Sequence, residues 1–151
     1  MKAFFSLVIL GVAIALVNSK ATKEVSEKLR AAVAKCTKEH HLDLTTVEEY
    51  VKFHKLPETE HGKCAVFCYF KEMGYVTDGK FNDANVESTN KLKWDNETEA
   101  AKATEVYHTC LKETSLTDVT LDCEAAVKML SCLKTHSEKH SLPLPELHKD
   151  E

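Results

Sequence analysis

The chain has 151 residues with 20 Lys or Arg and 24 Asp or Glu, which gives a formal net charge of −4 with neutral histidines. This mildly acidic composition, without basic runs, argues against a protein that binds nucleic acid or anionic membranes. Only four glycines and three prolines interrupt the chain, and it contains six cysteines.

The N-terminal segment has the composition of a secretory signal peptide. A lysine follows the first methionine, residues 3–17 are almost all apolar, and small or polar residues come next. The apolar stretch is short for a membrane span, which needs about 20 residues. We therefore expect a signal peptide at residues 1–19, with cleavage after Ser19 or Ala21, and a single secreted domain at residues 20–151.

The rest of the chain reads as a series of helices. In the first, Val25, Leu29 and Val33 recur at helical spacing on one face. The Asp78-Gly79 pair marks a turn, and little in the sequence indicates strands. The six predicted helices run approximately over Thr22–Lys38, Thr45 or Thr46 to Phe53, Lys63–Gly74, Asn82 or Asp83 to Leu92, Asp95–Thr114, and Asp118–Glu138. The pattern predicts one all-α domain.

The number of cysteines is even, and we expect this small chain to be secreted. Together these two features predict three disulfides. A zinc site is disfavoured, because the sequence has no C-x-x-C pair and the spacings between successive cysteines match no common zinc module. The cysteines are Cys36, Cys64, Cys68, Cys110, Cys123 and Cys132.

Helix geometry narrows the possible pairings but does not choose among them. Cys123 and Cys132 would lie roughly 13 Å apart on one continuous helix, too far for a bridge. Cys64 and Cys68 lie on one face with parallel Cβ vectors, so they are poorly placed to pair with each other. These two exclusions leave ten of the 15 connectivities. All ten link the helix that holds Cys64 and Cys68 to other segments, so we expect it to be central.

The cysteine spacing resembles that of the insect odorant-binding protein family, of the pheromone and general odorant-binding type. That family has three residues between its second and third cysteines and eight between its fifth and sixth, as this chain has in Cys64-x3-Cys68 and Cys123-x8-Cys132. The stretches KCAVFCYFKEMGYVTDGKFN and DCEAAVKMLSCLK are also similar to the family. The resemblance covers essentially the whole chain after the signal.

The resemblance implies a compact, disulfide-linked bundle of six helices around an internal apolar ligand cavity. It also implies the pairs Cys36 to Cys68, Cys64 to Cys123, and Cys110 to Cys132, all of which belong to the ten remaining connectivities. Such a cavity gives up some of the packing that stabilises a core, and disulfides can offset that loss.

Nine side chains are candidate ligand contacts, with ordinary core packing as the alternative for each apolar one. Met129 is attractive because its flexible thioether adapts to varied apolar shapes, and the Tyr107 hydroxyl could donate a hydrogen bond to a bound alcohol or carbonyl. The candidates are Val66, Phe70, Phe81, Leu92, Val106, Tyr107, Met129, Leu130 and Leu133.

The C-terminal tail SLPLPELHKDE places Leu142, Leu144 and Leu147 between or beside prolines, which disfavour helix. The resemblance favours a tail that folds over the cavity, and disorder at a chain end is the alternative. His136, His140 and His148 lie nearby. Their protonation could loosen such a lid, His136 and His140 could hold a metal, or all three could simply face solvent.

No enzyme motif is present, because the chain has no Gly-x-Ser-x-Gly, phosphate loop or His-Glu-x-x-His. We expect a non-enzymatic carrier that binds small hydrophobic molecules reversibly, without cofactor or metal. A membrane chemoreceptor is a candidate second partner, no membrane insertion is expected, and the carrier would be a monomer or weak homodimer. The alternatives are a helical protein that acts mainly through a protein partner, and a carrier in saliva, haemolymph or reproductive fluid.

Overall fold

The structure is a computed structural model that describes residues 21–144, so the expected signal peptide at residues 1–19 lies outside the described residues. Within them the fold is all-α, as predicted, with one short hairpin. The helices are α1 (Lys23–Glu39), α2 (Leu44–Val51), α3 (Glu60–Glu72), α4 (Asp83–Lys93), α5 (Glu97–Glu113) and α6 (Cys123–Lys139).

Side-chain caps set the start of most helices, since a capping oxygen satisfies an amide that has no partner within the helix. At five of them the side chain of the residue before the helix accepts a hydrogen bond from a backbone amide of the first turn. These capping residues are Thr22, Thr59, Asn82, Asn96 and Asp122.

Four predicted helix starts were wrong by one to four residues. α3 begins at Glu60 rather than at Lys63. α2 follows Asp43 rather than Thr45 or Thr46, and α5 is capped by Asn96 rather than Asp95. α6 begins after Asp122, because Asp118 has a φ of 60° and its left-handed backbone cannot begin a right-handed helix.

A glycine ends α3 and directs the next residue into the core. Gly74 has a φ of 79°, and its amide donates to the Lys71 carbonyl while the Tyr75 amide donates to the Phe70 carbonyl. This is the Schellman arrangement, in which the residue after the glycine packs back on the last turn of the helix. Accordingly, the Tyr75 and Phe70 rings lie 6.1 Å apart in a T-shaped contact.

The predicted turn joins two short strands that the sequence analysis did not anticipate, β1 (Val76–Thr77) and β2 (Lys80–Phe81). Asp78 and Gly79 both have positive φ, 52° and 73°, which is the two-residue turn that suits an antiparallel hairpin. Two residues per strand are too few to show the alternating pattern that identifies strands.

Three disulfides link the helices, and they are the pairs that the family resemblance implies. α3 holds two of the cysteines, one turn apart: Cys68 bonds to Cys36 in α1, and Cys64 bonds to Cys123 at the start of α6. The third disulfide joins Cys110 of α5 to Cys132 of α6. α3 is therefore linked covalently to both ends of the fold, which agrees with its expected central position.

α6 packs against α3 and α5. Its buried apolar residues Ala126, Met129 and Leu130 lie on one face of the helix. Among residues 21–144, no helix is long and apolar enough to cross a membrane.

Candidate ligand-binding cavity

The helices surround an internal cavity of about 830 Å³. All six helices, the hairpin and the first residues of the tail contribute to its wall, and most of the wall is apolar. A volume in this range is typical of sites that bury a small organic molecule.

One wall of the cavity is aliphatic. It combines the apolar stripe of α1 with the buried sides of α2, α4, α5 and α6. Its side chains are Leu29, Val33, Ala34, Leu44, Val51, Val86, Ala103, Val106, Met129, Leu130 and Leu133.

A second part of the wall is a row of aromatic rings that runs from α3 through the hairpin to α5. Phe70 lies 6.1 Å from Phe81, and Phe81 lies 5.9 Å from Tyr107 in an edge-to-face contact. Tyr75 adjoins Phe70, and Tyr69 lies 6.3 Å from Tyr75. Rings at these distances and angles stabilise one another beyond their buried area, so this wall is pre-formed.

Seven of the nine candidate ligand contacts lie in this lining, and two do not. Val66 is buried, at 1% exposure, but it lies one turn before Phe70 on α3, and only the last turn of that helix reaches the cavity. Leu92 is 39% exposed on the outer side of α4. The seven are Phe70, Phe81, Val106, Tyr107, Met129, Leu130 and Leu133.

The Tyr107 hydroxyl, a candidate donor to a ligand, has a partner within the protein. Its hydroxyl donates a hydrogen bond of 2.6 Å to Oδ1 of Asp83 in the first turn of α4. Burial, together with this bond to a carboxylate, raises the pKa of Tyr107. The donor is already used, so Tyr107 offers a ligand its ring and a lone pair but not a proton.

The start of the C-terminal tail lines part of the cavity. Leu142, Pro143 and Leu144 all contribute to the lining. The Leu142 side chain packs on a small cluster with Trp94, and Trp94 Nε1 donates to the Pro143 carbonyl at 3.1 Å. Leu147 lies outside the described residues.

Of the histidines that suggested a pH response, His136 and His140 lie outside the cavity lining. His136 Nε2 is 2.7 Å from Oε2 of Glu113, and its ring stacks on His140 at 6.1 Å. Neither histidine lines the cavity, and His148 lies outside the described residues. The sulfurs nearest His136 belong to the Cys110–Cys132 disulfide, so they are not thiolate ligands for a metal.

Sequence reasoning missed several lining residues. Leu29 and Val33 were placed on the apolar face of α1 but were not assigned to a cavity. That apolar face was the feature of the sequence from which their position in the lining could have been predicted. No pattern in the sequence identified Tyr75 and Lys93 as lining residues, because their positions depend on the glycine turn after α3 and on how α4 packs against the other helices.

The sequence model of the PBP/GOBP family matches residues 18–136. The chain belongs to the PBP/GOBP family. This confirms the recognition made from the spacing of the cysteines. A search of curated proteins finds no match.

Two solved structures are similar to this PBP/GOBP chain. The odorant-binding protein dmelOBP28a from Drosophila melanogaster matches with a TM-score of 0.63 and 27% identity, over 80% of this chain and 98% of that one. Pheromone Binding Protein 3 of Epiphyas postvittana matches with a TM-score of 0.59 and 24% identity, over 76% of this chain and 97% of that one. The second likeness concerns the fold alone. By name, both are binding proteins rather than enzymes.

Proposed function

We propose that this protein is a secreted carrier that binds small hydrophobic molecules reversibly in its internal cavity. The observation on which this rests is the apolar cavity of about 830 Å³ lined by all six helices and the start of the tail. Membership of the PBP/GOBP family and the likeness to an odorant-binding protein support the same reading. Odorants, pheromones and similar semiochemicals are the ligand class.

Burial and release suffice for this function, without chemistry on the ligand. A ligand that buries a dozen carbons gains roughly 10 kcal/mol at about 0.8 kcal/mol per CH₂. Association costs of at least about 4 kcal/mol leave on the order of 6 kcal/mol, or a Kd of roughly tens of micromolar. Such an affinity suits a carrier that must also unload.

The three disulfides fit secretion, since disulfides persist in oxidising compartments. The signal-like composition of residues 1–19 supports the same destination. In this proposal the carrier is a monomer or weak homodimer, and it delivers its ligand to a membrane chemoreceptor or removes it.

The test is uptake of the apolar fluorescent probe N-phenyl-1-naphthylamine by the disulfide-intact secreted protein, followed by displacement with long-chain alcohols, aldehydes, esters and aromatic volatiles. Saturable uptake at micromolar concentration with selective displacement is the expected result. If circular dichroism shows a folded protein and the probe does not bind, the carrier function is refuted.

A further inference from the structure

The aromatic wall of the cavity includes a hydroxyl without an acceptor. Tyr75 is 8% exposed, and its hydroxyl oxygen makes no hydrogen bond within the described residues. The neighbouring Tyr69 ring lies 6.3 Å away, and the Tyr75 hydroxyl has no hydrogen-bond partner among the described residues. A buried donor left in this state is destabilising, and a ligand atom that accepts its proton would remove that cost.

A cation lies over the ring of the same tyrosine. Lys93, in the last turn of α4, also lines the cavity. Its Nζ lies 5.1 Å from the centre of the Tyr75 ring and 5.9 Å from that of Trp94. Its charge also lowers the pKa of the Tyr69 hydroxyl, against the larger raising effect of burial. Among residues 21–144, Lys93 forms no ion pair with a carboxylate.

The other charges that face the cavity leave this cation without an internal partner. Lys52 and Glu48 of α2 pair with each other at 3.6 Å. Among the described residues that line the cavity, Glu48 is the one carboxylate, and it is already paired with Lys52.

We propose that the cavity selects aliphatic monocarboxylates, with the carboxylate held by the Lys93 ammonium and the Tyr75 hydroxyl and the chain lying along Phe70 and Phe81. This inference rests on the proposed carrier function and names the ligand class of the same cavity. A carboxylate supplies both an acceptor for Tyr75 and a counter-charge for Lys93, and charge-assisted hydrogen bonds are stronger than neutral ones. A neutral alcohol, aldehyde or ester supplies only the acceptor.

The apolar surroundings favour this pairing once the ligand is bound. An ion pair that is partly buried among apolar side chains is screened less than one at the surface. A buried carboxylate without a partner would be strongly disfavoured, which makes the presence of Lys93 decisive for selectivity. One ammonium and one donated hydroxyl match a monoanion, whereas a phosphate dianion would keep an unpaired charge.

The test compares ligands that share one chain and differ in the head group. Dodecanoate, 1-dodecanol and methyl dodecanoate displace N-phenyl-1-naphthylamine from the disulfide-intact protein at pH 7.5. Dodecanoate is expected to bind at least about tenfold more tightly than the alcohol or the ester, the factor typical of a charge-assisted hydrogen bond. Equal affinities for the three ligands would overturn the inference without any variant being made.

Variants then locate the head group. Lys93→Met is expected to remove the preference for dodecanoate over 1-dodecanol, and Tyr75→Phe to weaken dodecanoate severalfold. Lys91→Met is the matched control, because Lys91 is an exposed lysine of the same helix outside the lining. Loss of the preference in Lys91→Met or Lys52→Met instead of Lys93→Met would overturn the assignment.

The outcomes separate this inference from the function on which it rests. Failure of the probe to bind at all would refute both. Normal probe uptake with no selectivity for the carboxylate would leave the carrier function intact and refute the carboxylate site alone.

Discussion

Replacing Leu142 with alanine should open the cavity, because this side chain fastens the start of the tail to the rest of the wall. Leu142 packs beside Trp94, Ala100 and Ala103 and lines the cavity. Its amide donates to the Ser137 carbonyl at 2.9 Å, which fixes the direction in which the tail leaves α6. The substitution leaves that backbone contact in place and removes only the apolar one.

The size of the effect follows from burial. Leucine to alanine removes three carbons, worth roughly 2.4 kcal/mol at about 0.8 kcal/mol per buried CH₂. Leu142 is only partly buried, so about half of this, ~1.2 kcal/mol, is expected to be lost. If the bound state requires the tail in place, the affinity for the probe falls by roughly sevenfold to tenfold, mostly through faster dissociation.

Stopped-flow dissociation of N-phenyl-1-naphthylamine measures this directly, and the emission of Trp94 gives a second signal. Trp94 is the only tryptophan of the chain and is 7% exposed, so loosening of the tail should shift its emission to longer wavelength. Leu92→Ala is the matched control, since Leu92 is exposed on the neighbouring helix and outside the lining. If Leu142→Ala and Leu92→Ala release the probe at the same rate, residues 142–144 do not close the cavity.

Three further changes test other features. Tyr107→Phe should lower the free energy of unfolding by about 2 kcal/mol, because it removes the hydrogen bond to Asp83. It should barely change the affinity for the probe. Urea unfolding measures the first quantity and probe titration the second, and a loss of affinity instead of stability would mean that the hydroxyl binds the ligand. Gly74→Ala should cost about 1 to 2 kcal/mol in urea unfolding, because alanine is strained at a φ of 79°, and an unchanged midpoint would contradict this. Burial raises the pKa values of Tyr69, Tyr75 and Tyr107 in the folded state. The contribution of these tyrosines to stability is therefore complete below about pH 10, the ordinary pKa of tyrosine. Above that pH the free energy of unfolding falls by up to about 1.4 kcal/mol per pH unit for each tyrosine, because the tyrosines ionise in the unfolded chain before they ionise in the folded one. Equal stability at pH 9 and pH 11 in guanidinium unfolding would refute this prediction.

Much of the fold is determined locally and was therefore predictable. The stripe of Val25, Leu29 and Val33 identifies α1 because a 3.6-residue period places them on one face. Gly74 marks the end of α3 because only a residue tolerant of positive φ ends a helix in this way. The starts of α2, α5 and α6 were less predictable, because several neighbouring residues could cap each helix and packing chose among them.

The spacing of the cysteines determined the family, and geometry along single helices excluded five connectivities. The choice among the other ten depended on which helices are neighbours, since two cysteines bond only where their Cα atoms come within about 7 Å. In the fold the Cα atoms of Cys64 and Cys123 lie 4.6 Å apart, although they are 59 residues apart in sequence.

The sequence by itself determined six helices, their apolar faces and the cysteine framework, since each of these depends on residues close together in the chain. Only the tertiary structure decided which apolar side chains face the cavity and which face a neighbouring helix, as the contrast between Phe70 and Val66 shows. It also decided that the Tyr107 hydroxyl donates to Asp83, whereas the Tyr75 hydroxyl has no hydrogen-bond partner among the described residues and its ring lies under Lys93. The physical reason is that periodicity specifies a buried face but not what lies opposite it, and a hydroxyl's partner depends on which helix docks there.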